Sequence, residues 1–263
     1  MIKGLNGARG LSVILIMLFH YHVLDLFWIA VQLFFVLSGF LITAILLRQS
    51  ELPPKFYFKN FYGRRALRIF PLYFVFLAGL AITGLIYDWP SEFFTHWTYA
   101  ATYLYNIYFA FTGADDVLLT HLWTLAAEEQ FYLVWPFVIY MVPRKWIKHL
   151  LVTIVLLSPV LRYLALLVMP SLSTNVDIYH AVYKLPTSHL DAFAIGALLC
   201  VTNFRATARQ FWLLLLLMAI YGISNVLFGN QELYNWQNLG FPVHFGEPLH
   251  MALGFSMINI FWA

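Results

Sequence analysis

Residues 93–111 read FFTHWTYAATYLYNIYFAF, a stretch long enough to cross a lipid bilayer yet unusually aromatic, and whether it crosses decides the topology. A span needs about 20 mostly apolar residues. On that measure spans are predicted near 8–26, 28–47, 69–87, 123–142, 149–169, 188–202, 210–228 and from about 249 to the end. If 93–111 stays at the interface or re-enters, the N-terminus, 48–68, 143–148 and 203–209 share one side. That side holds Lys3, Arg9, Arg48, Lys55, Lys59, Arg64, Arg65, Arg68, Arg144, Lys145, Lys148, Arg205 and Arg209, which is 13 of the 15 Lys and Arg. Arg162 lies within a span and Lys184 on the other side. Cytoplasmic loops carry the excess of Lys and Arg, so that side is assigned to the cytoplasm, with the N-terminus on it. A crossing 93–111 would put 143–148 and 203–209 outside and misplace five charges. The segment is therefore taken as interfacial or re-entrant.

Composition supports this frame. Of 263 residues, 62% are hydrophobic and 10% charged, with a mean hydropathy of +0.77. Soluble domains carry about 25% charged residues, so lipid is the solvent that tolerates this surface. The net charge of +3 gives no reason to expect a nucleic acid partner. One cysteine, Cys200, excludes an internal disulfide and a cysteine-based metal cluster. The apolar run after Lys3 and Arg9 lacks a small-residue cleavage site and leads straight into another apolar segment. It is thus read as a retained first span, forming a tight hairpin with the second. Residues 251–263 are too few to cross, so the chain is expected to be a C-terminally incomplete piece. The expected fold is all-α: a polytopic bundle with about eight spans, built as one membrane-embedded domain over 1–263.

Four groups of residues could carry chemistry. Arg9 and His20 are eleven apart, about 16 Å along a helix, which puts the imidazole past mid-membrane. Ionisable groups at that depth are costly and mark function by default. An imidazole there suits general-base work on a hydroxyl, with a hydrogen-bonded link between helices as the structural alternative. His22 faces elsewhere, which argues against a two-histidine metal site.

The second group is RRALRIFP at 64–71. Arg64, Arg65 and Arg68 gather near one helix face, and guanidinium groups bind phosphate through paired donors. Topology anchoring is the plainer role. Third, HLWTLAAEEQFY at 121–132 sets His121, Glu128 and Tyr132 on one face. The aromatic belt accounts for Trp123, Tyr132 and Trp135 but poorly for Glu128 and Glu129. Fourth, Asp191 is a membrane-edge carboxylate for which Arg162 is one possible partner. Ser38-Gly39-Phe40 offers a small-residue face for packing against the first span rather than a nucleophile.

Taken in order, these pieces resemble the acyltransferase 3 family of bacterial membrane proteins. The resemblance rests on LNGARG at 5–10 with His20, LFFVLSGFLI at 33–42, RRALRIFP, HLWTLAAEEQFY with Trp135-Pro136, and Asp191 to Gly196. Departures are mild: Asn6 and Ala8 replace a common Asp and a larger apolar residue. Gln32 stands where an acidic residue is frequent, and Thr124 where serine is usual. The resemblance implies about ten spans, two of them beyond residue 263, in the inner (plasma) membrane. It also implies transfer of an acyl group, most often acetyl, from cytoplasmic acyl-CoA to a hydroxyl of a surface carbohydrate or lipid-linked glycan, without a metal. On this reading Arg9, Arg64, Arg65 and Arg68 bind the donor, and His20 is base or acyl carrier. Glu128 orients the imidazole or the acceptor, and His121, Tyr132 and Asp191 serve the acceptor. The competing readings are a transporter or flippase using the same polar groups, and a sensory or scaffold protein.

Overall fold

The computed structural model describes the chain apart from residues 1–3, 173–176, 203, 205, 231 and 244 and the side chain of Asn6. Lys3 and Arg205 of the sequence reading lie outside the described residues. The elements are helical throughout: α1 Leu5–His20, α2 Ala30–Gln49, α3 Pro54–Ile86, α4 Ser91–Ala101, α5 Tyr105–Thr112, α6 Trp123–Met141, α7 Arg144–Leu172, α8 Ile178–Lys184, α9 Leu190–Thr202, α10 Ala208–Phe228 and α11 Pro248–Phe261. Three 3₁₀ turns, at Asp25–Ile29, Thr120–Leu122 and Pro186–His189, lead into α2, α6 and α9.

The expectation of eight spans is not met by length and composition among the described residues. Four helices are long and apolar enough to cross: Asp25–Gln49, Pro54–Ile86, Arg144–Leu172 and Ala208–Phe228. A fifth arises if α8 and α9, bent by 69° at their break, count as one span. The chain is thus a multi-pass membrane protein with fewer full-length spans than predicted. The physical reasons differ. In α6 the polar run Glu128-Glu129-Gln130 interrupts an otherwise apolar helix. In α11 only 14 residues are helical. The first predicted span, 8–26, stops at His20 because the chain turns: His22 adopts a left-handed φ of 54° and Leu24 is extended. Residues 93–111 fall on α4 and α5, of 11 and 8 residues, broken at Tyr103, which also has positive φ. Neither piece has the length of a span.

The chain divides into two compact units. The first comprises Met1–Ala44, Trp146–Val168 and Thr187–Ala263, the second Ile45–Lys145 and Met169–Pro186. In the first, the apolar residues of α2 go all round the helix, and such a helix is driven inside. Its most apolar window is 67% buried, against 17–22% for α3, α7 and α10. Gly39 lets α2 approach closely, but not to the first helix as expected. A Cβ at Gly39 would meet the carbonyl of Phe193 on α9, and one at Gly196 would meet the carbonyl of Val36. Trp28 is fully buried, donates its indole N–H to the Phe241 carbonyl at 2.9 Å and packs on Phe245 and Phe255.

In the second unit, α3 runs for 33 residues, about 50 Å at 1.5 Å per residue, so the basic stretch and the apolar span share one rod. Tyrosines fasten it to its neighbours. Tyr57 and Tyr62 donate to the carbonyls of Pro136 and Leu133 on α6, at 3.1 and 2.8 Å. Tyr73 donates to the Ala100 carbonyl on α4 at 2.6 Å. Pro136 lacks an N–H and so interrupts the α6 ladder at the Tyr132 carbonyl four residues back.

Candidate active site

In the second unit, the last turn of α2 and the first half of α3 enclose a cleft of about 320 Å³, lined by Ile45, Arg48, Gln49, Asn60, Phe61, Arg64, Arg65 and Arg68. Positions 61, 64, 65 and 68 form one stripe of α3 because residues three and four apart share a helix face. Four guanidinium groups therefore meet in a cleft whose lining includes no carboxylate. Such a lining is suited to an anion able to accept paired N–H donors, above all phosphate.

Arg65 links this cleft to α6. Its guanidinium lies 4.7 Å from the ring centre of Tyr132 and 5.8 Å from that of Phe61. The Tyr132 hydroxyl in turn donates to Glu128 Oε1 at 2.8 Å. Glu128 is 4% exposed, so the sequence-predicted carboxylate is held inside the bundle. His121 lies just ahead of that helix. It sits in the 3₁₀ turn before α6, exposed, with its ring 5.7 Å from Phe76.

A second polar network in the same unit surrounds Lys184, which the sequence placed simply on the far side. The structure buries it at 1% exposure, with its ammonium 3.5 Å from the Phe109 ring centre. The ammonium also donates to Asp115 Oδ2 at 3.1 Å and to the Thr120 hydroxyl at 2.9 Å. Tyr105 donates to Asp115 Oδ1 at 2.9 Å. Burial by itself would push the Asp115 carboxyl up. The Lys184 charge and hydrogen bonds from Thr120, Lys184 and Tyr105 outweigh it and hold the group below the usual carboxylate range. Asn106 and Gln130 exchange amide hydrogen bonds beside this network, and Gln130 Nε2 donates to the Tyr103 carbonyl at 2.7 Å.

In the first unit, Arg9 and His20 share α1. Eleven residues apart, they lie about 20° from one another round the helix, and so on one face. The Arg9 guanidinium stands 5.4 Å from the Phe34 ring centre. His20 is the last residue of α1 rather than a mid-helix group. It is exposed, with its ring 5.4 Å from that of Phe19.

Asp191 is fully buried and its carboxylate is committed. Arg162 donates Nη1–H to Oδ1 at 2.9 Å and Nη2–H to Oδ2 at 2.7 Å, and the Ser256 hydroxyl donates to Oδ2 at 2.6 Å. The same guanidinium also donates to the carbonyls of Ala252 and Ser188. Alongside lies a pair that the sequence reading missed: Gln32 and His189, both fully buried, 3.1 Å apart, with the imidazole 4.8 Å from the Phe35 ring. Gln32 drew notice only as a departure from the family pattern. That position now has a physical role, as the hydrogen-bond partner of a buried imidazole.

Comparison with known proteins adds the chemistry. A family model described as an acyltransferase domain matches residues 2–262. Peptidoglycan O-acetyltransferase OatA of Listeria monocytogenes is 35% identical over 166 residues, 56% of this chain and 25% of that protein. The putative peptidoglycan O-acetyltransferase YrhL of Bacillus subtilis is 31% identical over 149 residues, 51% of this chain and 23% of that one. An uncharacterized protein of Haemophilus influenzae is 27% identical over 183 residues, 65% of this chain and 73% of it. The chain thus spans about a quarter of the length of the first two relatives. No solved structure matches it.

Proposed function

The chain belongs to the acyltransferase family whose domain model spans residues 2–262, and on that premise we propose that it is a membrane-bound O-acyltransferase moving acetyl from acyl-CoA to a carbohydrate hydroxyl. The acceptor class follows the peptidoglycan O-acetyltransferases it is similar to: a cell-surface or lipid-linked glycan. The observation that carries this reading is the cleft of four guanidinium groups at the start of α3, with Arg65 reaching the ring of Tyr132, whose hydroxyl binds Glu128.

In this reading Arg64, Arg65 and Arg68, together with Arg9, hold the phosphates of the donor. The cationic loops face the cytoplasm with the N-terminus, where acyl-CoA is made, and the helices sit in the inner membrane among its lipids. The shorter helices α1, α6 and α11 count as membrane segments beside the four long ones, towards the eight predicted from sequence. His20 acts as the base that takes the acceptor hydroxyl proton, or carries the acyl group in transit. Glu128, anchored by Tyr132, orients the reacting groups, and His121 serves the acceptor side; Asp191, whose oxygens are taken by Arg162 and Ser256, acts only by holding α7, α9 and α11 in place. A developing oxyanion must be stabilised in any acyl transfer, and hydrogen-bond donors aimed at it supply that.

The competing reading is a transporter or flippase that moves a glycolipid or the donor without chemistry. Incubating membranes containing the intact protein with acetyl-labelled acetyl-CoA separates the two. An acyltransferase leaves label ester-bound on glycan, released by mild base. A transporter leaves none.

A further inference from the structure

Four polar side-chain atoms among the described residues of the second unit are buried without a hydrogen-bond partner: Gln49 Oε1, His96 Nδ1, and the two that concern us, Glu129 Oε1 on α6 and the hydroxyl of Tyr103 at the break between α4 and α5. Buried polar groups are almost always paired, because leaving one unmet forfeits its hydration without return, the more so for a charge. An orphan therefore points to a missing partner. The two are physically connected. Gln130, next to Glu129, donates to the backbone carbonyl of Tyr103 at 2.7 Å, and Glu129 acts electrostatically on Tyr103 and on Tyr73.

Tyr103 is held with care. Its φ is +56°, a conformation that costs a non-glycine residue energy and that persists where surroundings impose it, often at functional sites. Its ring stacks on Tyr73 at 4.5 Å between centroids and 15° between planes. Tyr73 in turn is pinned through its hydroxyl to the Ala100 carbonyl. A strained backbone, a fixed ring and an unmet hydroxyl together describe a group presented to something. Glu128 differs from its neighbour in this respect, since Tyr132 already satisfies one of its oxygens.

We propose that Glu129 and Tyr103 form a binding site for a sugar hydroxyl of the acceptor. A carboxylate oxygen only accepts hydrogen bonds, whereas a phenol both donates and accepts. The complement of that pair is a group that donates one and accepts another, which a hydroxyl does. Arg65, whose charge acts on Glu129, places the site beside the arginine-lined cleft it also lines. The proposal deepens the acyltransferase reading and rests on it for the identity of the acceptor. It adds two residues to those the sequence singled out.

The test uses the purified full chain with chitotriose, a β-1,4-linked trimer of N-acetylglucosamine, as the hydroxyl-bearing probe. Wild-type protein should unfold at higher temperature in its presence. Glu129→Gln and Tyr103→Phe should each lose that shift and raise the chitotriose KM in acetyl transfer about tenfold, the worth of one hydrogen bond to a charged group, with the acetyl-CoA KM unchanged. Without probe, Glu129→Gln should unfold no earlier than wild type, since no protein hydrogen bond to Oε1 is removed. A purely structural role would do the reverse, lowering that midpoint while leaving the chitotriose KM alone. If both variants keep the wild-type shift and KM, or if Glu129→Gln fails to fold while Tyr103→Phe keeps them, the proposal is wrong. Absence of acetyl transfer by the wild type would defeat the acyltransferase reading, and the probe-induced shift would still decide this one.

Discussion

The guanidinium of Arg162 on α7 grips the carboxylate of Asp191 on α9 through two hydrogen bonds, at 2.7 and 2.9 Å, with both side chains fully shielded. Ser256 and the carbonyls of Ala252 and Ser188 complete the shell, so the pair locks α7, α9 and α11 together. Removing one partner strands the other as a buried charge, at a cost of about 3–5 kcal/mol. Arg162→Met and Asp191→Asn should each unfold well below wild type in detergent, and the Arg162→Met/Asp191→Leu double variant should recover much of the loss. Single variants that melt with wild type would show the pair to be dispensable.

The α2–α9 crossing is set by two glycines. Gly196→Ala drives a methyl into the Val36 carbonyl, and neither backbone can yield cheaply. A loss of about 1–3 kcal/mol is expected, as for other overpacked sites. Gly79→Ala on α3, with nothing within 4 Å, should be neutral or slightly stabilising and serves as the control. Both are read by thermal unfolding.

Asp115 should make stability fall in acid. Its folded-state pKa is lowered, chiefly by the Lys184 charge acting against burial. Its stabilising contribution is thus fully present above the ordinary carboxylate value, about 3.9, and is lost as pH drops through the lower folded value. Asp115→Asn should lower the midpoint at neutral pH and flatten its dependence below about pH 4. An unchanged acid limb in the variant would remove Asp115 from the explanation.

The arginine cleft contains one arginine that the sequence reading did not assign to the donor. Arg48, from the last turn of α2, lines it beside Arg64, Arg65 and Arg68. Arg48→Gln and Arg64→Gln should each raise the acetyl-CoA KM about tenfold, the scale of one charged hydrogen bond, and steepen its rise with salt. A KM unmoved in both would leave these arginines as topology anchors.

The sequence carried the helical membrane class and the residues of the arginine cleft, because hydropathy and i, i+4 spacing are local properties. It over-counted full-length spans where local apolarity misleads. His22 turns the chain two residues past His20, and Glu128-Glu129-Gln130 interrupts α6. Partners distant in sequence stayed hidden for a different reason. Gln32 and His189 are 157 residues apart and Lys184 and Asp115 are 69 apart, so no periodicity connects them. Arg162 and Asp191 could be guessed as partners because a buried charge in lipid demands one. The orphan atoms of Glu129 and Tyr103 become visible only once everything around them is placed.

Everything functional here turns on whether an imidazole at the end of α1 takes part in acyl transfer. The direct test is the rate at which label passes from acetyl-CoA to glycan in membranes holding equal amounts of folded wild-type and His20→Ala protein. A base or acyl carrier accounts for roughly 10²- to 10⁴-fold, so the variant should transfer at under about one hundredth of the wild-type rate. Transfer by His20→Ala at the wild-type rate would contradict the assignment.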